Sequence, residues 1–540
     1  MRLGVIGKKS RAACLESELI GRVRMPFKSK TFVDEPEPVT RTRRARLWDE
    51  SESEAAWPQE KTKELQQGEF APGFETRDAT TLDAASASPR EASAPVKVKR
   101  WPTLKRAHAL SFAGLLLFTA VTYFRPYELI SALSGFKSMA FWLAVATLLI
   151  FLPTQLSIEG TLTARPREVN LVLLLSLAAL LSITLAIEPS EAWSAFLDFA
   201  KVIMMFIVMV NVVRTERRWR GMFWMALLVS LFLSVNALND YRLGHLDRRG
   251  DRIEGALGGL FDNPNDMALH LVTILPLALG LLFVARGLSK KLFYGLCASL
   301  MIAATVVTFS RGGFLALVCA LFVLAWKLGR RNRFAVVILF LIAASMFFLI
   351  LPAGFVSRLM SVFGGNVDGG SAVARQNLLL RSILVTLRHP LLGIGMGNFH
   401  NVSIREQVSH NAYTQVGAEM GIPAMIIYVL FIWSALKRMR QIEHETYDLR
   451  ARARVYYLAI GLQASLIAYM VSSFFASVAY LWYIYFLVGY AVCLHRLYEA
   501  KGAENVFGRA GVGKRLSNIE GSKDGLAASF TEPLAAHHER

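Results

Sequence analysis

KKLFYGLCASLMIAATVVTFSRGGFLALVCALFVLAWKLGRRNR (290–333) is the stretch on which the fold turns. Two apolar arms, 291–309 and 312–328, meet at Ser310-Arg311-Gly312-Gly313, and both outer ends are basic. Together the arms are too long for one bilayer crossing, which takes about 20 residues. The polar break therefore predicts a hairpin of two crossings. Lys290 and Lys291 at one end, and Lys327, Arg330, Arg331 and Arg333 at the other, then share one side of the membrane. Arg311 lies on the opposite side.

Working outward, the chain holds twelve apolar stretches: 108–124, 138–153, 169–187, 196–213, 220–238, 267–285, 291–309, 312–328, 334–351, 412–436, 455–475 and 478–497. The second is short for a crossing. The fold class expected is all-α: a polytopic membrane protein of about twelve transmembrane helices with a helical periplasmic loop. Composition agrees. The chain has 540 residues, 54% of them hydrophobic, and a mean hydropathy of +0.39, too apolar for a soluble protein of this length. Three domains are expected: a disordered polar cytoplasmic region 1–107, a transmembrane region 108–497 containing a large outer loop 352–411, and a flexible cytoplasmic tail 498–540. Residues 1–107 contain no apolar core of a signal peptide. Cys297, Cys319 and Cys493 lie in apolar segments without metal-ligand spacing and read as small core residues.

The net charge of +19 would suggest nucleic acid in a soluble protein. Here the basic residues concentrate in short loops, and no nucleic-acid-binding fold is recognisable. Arg165 and Arg167; Arg214, Arg217, Arg218 and Arg220; Arg286, Lys290 and Lys291; and the run Lys437–Arg454 fall on one side of a twelve-helix topology, while loops 188–195 and 476–477 opposite them carry neither Lys nor Arg. The positive-inside rule makes the basic side cytoplasmic, together with both termini. It places 239–266, Arg311 and 352–411 outside.

The outer loops nevertheless carry Arg242, Arg248, Arg249, Arg252, Arg311, Arg358, Arg375, Arg381, Arg388 and Arg405, with Lys137 as the one lysine. Arginine grips phosphate with a planar fork, where lysine offers a point charge. Arginine on the disfavoured side points to phosphate recognition; ion pairs with Asp247, Asp251, Glu254, Asp262 and Glu406, or lipid-headgroup contact, are the structural alternative. Arg311 stands beside Gly312 and Gly313, which let a ligand or a backbone approach closely; the plainer reading is a hairpin arginine that snorkels to the headgroups.

His410 precedes the stretch 412–436. His410, Thr414, Gly417 and Gly421 fall on one helical stripe that is small and polar. The positive helix end should keep the imidazole neutral and able to act as a base; capping or anchoring the helix is the alternative. Glu419 lies deeper, with Gln415 as a candidate partner. A helix near 373–388 would put Arg381 and Arg388 on one face and Arg375 on another, end at His389-Pro390, and lead into a turn at Gly393, Gly395 and Gly397. Asp262 and Asp266, around Asn263-Pro264, read as a helix cap rather than a metal site.

Phe261-Asp262-Asn263-Pro264-Asn265-Asp266, Ser310-Arg311-Gly312-Gly313, Arg375 with His389-Pro390-Leu391-Leu392-Gly393-Ile394-Gly395, and His410-Asn411, in this order, resemble the O-antigen ligase superfamily across about residues 108–497. His410, Asn411 and Gly421 match the family's ligase motif; Ala424 departs from its last position. Arg125-Pro126-Tyr127-Glu128 is similar to a branch associated with exosortase systems. The resemblance implies a glycosyltransferase of the bacterial inner membrane that moves a glycan from undecaprenyl diphosphate to a periplasmic acceptor hydroxyl with inversion, using no metal or cofactor. It implies catalytic roles for His410 and Arg311, and donor-binding roles for Arg375, Arg381, Arg388 and Asn411. The partners would be the lipid-linked donor, a glycan, lipid or protein acceptor, and membrane lipids, without nucleic acid. Three functions stay open within this class: lipid A-core ligase, polysaccharide polymerase and protein O-glycan ligase. A transporter or flippase of lipid-linked sugars is the reading from another class.

Overall fold

The computed structural model describes residues 108–129, 133, 135, 136, 138–245, 253, 261, 263–330, 332–350, 369–403, 406–448 and 454–500. The expected tail 1–107, residues 501–540 of the expected tail 498–540, Lys137, Asp247, Arg248, Arg249, Asp251, Arg252, Glu254, Asp262, Arg358 and Arg405 lie outside these residues; 498–500 continue α13. The described part is all-helical. Its long helices are α1 (Ala109–Phe124), α2 (Met139–Glu159), α3 (Arg167–Ser182), α4 (Pro189–Val212), α5 (Glu216–Leu243), α6 (Pro264–Val284), α7 (Leu288–Val307), α8 (Arg311–Leu328), α9 (Arg333–Ile350), α10 (Gly369–Arg388), α11 (Ala412–Glu445), α12 (Arg454–Ser472) and α13 (482–500). Each apolar stretch falls on one of these; α10 is the helix expected near 373–388, four residues longer at its start than expected. Among the described residues, nine helices are long and apolar enough to cross a membrane, with α1 and Arg333–Ile342 as shorter apolar helices. The chain is a polytopic helical membrane protein. The count of twelve crossings stays an expectation.

α2 corrects the reading of its segment as short. It runs 21 residues, because its polar end is absorbed: Gln155 Nε2 donates to Glu159, and Arg214 pairs with Glu159. α6 is the most enclosed helix, with nearly every side chain from Met267 to Leu281 buried. It packs on α7, α8 and α12. A Cβ on Gly280 would meet the carbonyl oxygen of Tyr457, and one on Gly461 that of Pro276, so α6 and α12 cross backbone to backbone. On the outer helices, Leu149, Leu173, Leu228 and Leu339 remain exposed; a bilayer rather than water suits such a surface.

The two ends of the bundle differ in chemistry. At one end the basic loops are stitched to acids on other helices. Arg438 Nε donates to Glu168 Oε1 at 2.6 Å, Lys327 Nζ to Glu443 Oε2 at 2.6 Å, and Arg454 Nη1 to Glu216 Oε1 at 3.2 Å. Arg214, Arg218 and Arg496 donate to the carbonyls of Asn211, Val212 and Val210, the last of α4. Cations belong at the negative end of a helix, so part of this basic charge also caps α4.

At the other end the joints are made by small polar groups. The Ser310 hydroxyl donates to Asn265 Oδ1 at 2.9 Å, tying the start of α8 to the start of α6. Glu188 N–H donates to Asn398 Oδ1 at 2.6 Å, and Met396 N–H to Ser182 Oγ at 3.2 Å, tying the α3–α4 link to the segment after α10.

Candidate functional site

The site gathers at this second end, where α8 and α11 both begin. Each start has the same local form. Ser310 caps α8 by accepting the Gly313 N–H on its hydroxyl, and Asn411 caps α11 by accepting the N–H groups of Tyr413 and Thr414 on Oδ1 at 2.9 and 3.0 Å. Short polar side chains are the natural acceptors there. In each case the residue just before the cap is a left-handed non-glycine: Phe309 (φ 51°) and His410 (φ 54°). Such a conformation costs about 1–2 kcal/mol, and it turns the preceding chain sharply into the helix.

What holds His410 in that conformation is Ser477, in the link between α12 and α13. The His410 N–H donates to Ser477 Oγ at 2.8 Å, and the Ser409 and Ser477 hydroxyls share a hydrogen bond at 3.2 Å. The same link begins with the turn Ser473–Phe475. A Cβ on Gly312 would collide with Phe475, so the first turn of α8, which Arg311 opens, seats on this turn. Arg311 and His410 thus lean on one short segment, although 99 positions separate them in sequence. Arg311 is half-buried.

His410 is half-buried, and Arg375 of α10 is near enough for its charge to act on it. Burial first, and the Arg375 guanidinium second, lower the imidazole's pKa below its ordinary value. Both act in the same direction as the helix end that the sequence pointed to. α10 is fixed against α11 by the Ser382 hydroxyl, which donates to Thr414 Oγ1 at 2.8 Å, and by Thr386 against Gly417. Arg381 and Arg388 stand six and thirteen residues beyond Arg375, about 9 and 20 Å further along the helix axis. Arg381 Nε donates to the Val402 carbonyl at 2.9 Å, and Arg388 is exposed in the last turn. Asn411, read as a substrate contact, spends its carbonyl oxygen on the cap; its Nδ2 has no hydrogen-bond partner among the described residues.

Two sequence expectations change here. The stripe from His410 to Gly421 is broken at both ends: His410 lies outside the helix, and Gly421 is non-helical (φ 87°, ψ 172°). Pro423 explains the second break, because it has no N–H to give to the Glu419 carbonyl. The outer segment takes up the released groups. Ile394 N–H donates to the Ala418 carbonyl, Gly395 N–H to the Glu419 carbonyl, and Ile422 N–H to the Pro390 carbonyl. Gly393, Gly395 and Gly397 all have positive φ, as a turn pressed this close requires. Gln415 also fails as the partner of Glu419: its Oε1 is buried and unpartnered. The backbone N–H groups of Gly397 and Phe399 face the Glu419 carboxyl instead.

Ser477 and Asn398 escaped the sequence reading. Each is a small polar residue in a loop, and nothing local distinguishes it from a solvated one. Elsewhere at this end, Arg125 pairs with Glu128 at 2.6 Å and donates to the Tyr127 hydroxyl at 2.8 Å, so three residues of Arg-Pro-Tyr-Glu are joined to one another. Asn263, not Asp262, caps α6, and Asp266 lies in the first turn.

Residues 296–429 match the family model described as O-Antigen ligase. Over that segment the chain is similar to the O-antigen ligase family. The matched segment is about a quarter of the chain and includes Arg311, Arg375, Arg381, Arg388, His410 and Asn411. No curated protein matches the chain. Membrane helices and family together indicate glycosyl transfer of the ligase or polymerase type in a membrane.

Proposed function

We propose that this O-antigen ligase superfamily protein transfers a glycan from undecaprenyl diphosphate to an acceptor hydroxyl at the membrane face opposite the basic loops, the periplasmic face of a bacterial inner membrane. The observation that carries the reading is the pairing of His410 with Arg375 beside the α8 start that bears Arg311. A base needs a neutral nitrogen, and burial with a neighbouring cation supplies one. A departing diphosphate needs positive charge where its own charge grows, and Arg375 with Arg311 would supply it. His410 takes the acceptor proton as the oxygen attacks the anomeric carbon and the bond to the diphosphate breaks. Displacement in one step inverts the anomeric centre. Arg381 and Arg388, further along α10, would meet the more distant parts of the donor or the acceptor.

The test is transfer by the purified full-length chain in lipid vesicles, from an undecaprenyl-diphosphate glycan to three acceptors: lipid A-core, a growing glycan and a serine-containing peptide. His410→Ala should lower kcat by about 10²–10⁴, and Arg311→Ala and Arg375→Ala should lower it as well. Full activity in both His410→Ala and Arg311→Ala overturns the reading. The acceptor that turns over decides between ligase, polymerase and protein O-glycan ligase.

A further inference from the structure

α10 has two unlike faces. Leu378, Ser382, Val385 and Thr386 are buried, against α11 and the segment that follows α10. The opposite face is exposed, and its chemistry changes along the helix. In the first half it carries Val373, Gln376 and Asn377; in the second half it carries Leu380, Ile383, Leu384 and Leu387, and Leu391 continues it beyond the last turn. Leu380, Leu384 and Leu387 are each more than half exposed. Their spacing of four and three residues puts them on one stripe. Arg381 and Arg388, seven apart, stand together on one edge of that stripe. α10 contains no acidic residue.

Depth tells a lipid-covered stripe from a wet one. α10 is not among the helices long and apolar enough to cross a membrane, yet it runs beside one of them in the same direction. Ser382 meets Thr414, Thr386 meets Gly417, and the Pro390 carbonyl accepts the Ile422 N–H. α11 supplies the ruler. Near its basic end, Arg438 is bonded to Glu168 at the start of α3. Gly417 lies 21 residues before Arg438, about 32 Å along the helix, against about 30 Å for the hydrocarbon of a bilayer. α10 therefore reaches the edge of the hydrocarbon near Thr386. Leu384 lies at that edge, with Leu387 and Leu391 below it. Leu380 and Arg381 are level with the headgroups, and Gln376 and Asn377 stand above them. Exposure turns from polar to apolar at the height where the surroundings turn from water to lipid.

We propose that the second half of α10 is seated in the leaflet at the site end of the bundle, with Leu384, Leu387 and Leu391 among the acyl chains and Arg381 and Arg388 on the phosphates of anionic lipid headgroups. The charge fits: a helix with arginines and no acid suits an anionic surface, and a guanidinium fork matches a phosphate. Long basic side chains at this depth keep their heads in the polar layer while their stems lie along apolar neighbours. Arg375 belongs to the other side of the helix, toward His410. One helix thus has lipid on one side and the candidate site on the other, and its seat sets the height of Arg375 above the bilayer. The headgroup layer is also where a lipid-linked donor presents its glycan, so Arg381 and Arg388 keep the reach proposed above. The seat itself does not depend on the transfer reaction.

The experiment uses the full-length chain with its four cysteines replaced by alanine and a nitroxide attached through Gln376→Cys, Leu380→Cys, Leu384→Cys or Leu387→Cys. The protein is placed in vesicles of phosphatidylcholine, with or without phosphatidylglycerol. Oxygen, which concentrates in lipid, should reach the labels at 384 and 387 better than a water-soluble nickel complex does, and the order should reverse at 376. Phosphatidylglycerol should draw the label at 387 deeper, and Arg381→Gln with Arg388→Gln should abolish that effect. A nickel-accessible label at 387 overturns the seat. So does spin–spin broadening that vanishes on dilution with unlabelled protein, which would put a second copy of the chain on the stripe. Equal depth in both lipids overturns the phosphate contact. A second measurement keeps the native cysteines: in Leu384→Glu with Leu387→Glu, hydrogen exchange across 380–391 should speed by at least about tenfold in vesicles, while α12 exchanges as in wild type. Wild-type exchange across 380–391 in that variant overturns the seat.

Discussion

Ser477 holds the backbone of His410: its hydroxyl oxygen accepts the His410 N–H at 2.8 Å, across 67 positions of sequence. This bond offsets the cost of the left-handed turn and sets where the ring stands. Ser477→Ala removes it without touching the ring. A hydrogen bond of this kind is worth about 1 kcal/mol, so kcat should fall by about fivefold while the thermal midpoint hardly moves. Wild-type turnover in Ser477→Ala would refute the positioning role.

The charge of Arg375 gives a signed pH dependence. His410 must be neutral to act, and its pKa lies below the ordinary imidazole value in the free protein. Activity is therefore lost only as pH falls below that ordinary value, about 6.5. Arg375→Gln removes one of the two causes of the lowering, so the acid limb of kcat/KM should move to higher pH. A bound diphosphate would neutralise Arg375 in the same way. The acid limb of kcat, which reports the donor-bound enzyme, should then lie at higher pH than that of kcat/KM. Coincident limbs in wild type and variant would exclude the coupling.

Gly421 tests the kink. Its φ of 87° with ψ of 172° belongs to a region open essentially to glycine, and a Cβ would strike the Leu391 carbonyl. Gly421→Ala should cost at least about 1–3 kcal/mol, seen as a lower unfolding temperature of the detergent-solubilised protein. An unchanged midpoint would mean that the kink is not built this way.

Glu168 is fully buried, and Arg438 is bonded to it at 2.6 Å. Arg438→Ala leaves that carboxylate alone and should destabilise by about 3–5 kcal/mol. The double variant Glu168→Gln, Arg438→Gln should recover much of the loss, and Arg388→Ala, on an exposed face, should cost little stability. Chemical denaturation of the three variants checks the order.

The helices were legible because a bilayer imposes one length scale on every crossing, and the hairpin around Ser310–Gly313 showed it most clearly. The end of α2 was misread because Gln155 and Glu159 look like an exit to water, and only Arg214, 55 positions away from Glu159, makes them an interior joint. Arg311, Arg375 and His410 stood out as costly groups in an apolar chain. Asn411 was legible as a residue but not as a cap whose amide nitrogen remains unsatisfied. Ser477 was invisible, because the register between two loops is set by how whole helices pack and leaves no periodic trace.

The exchange of backbone partners between 390–395 and 418–422 has a consequence for engineering. The two segments complete each other's hydrogen bonding, so neither is a separable module. A chimera that borrows the turn 390–395 from a protein matching the same family model but keeps this α11 would strand the carbonyls of Ala418 and Glu419 in a dry interior. Grafts that aim to change acceptor choice should move both segments as one unit.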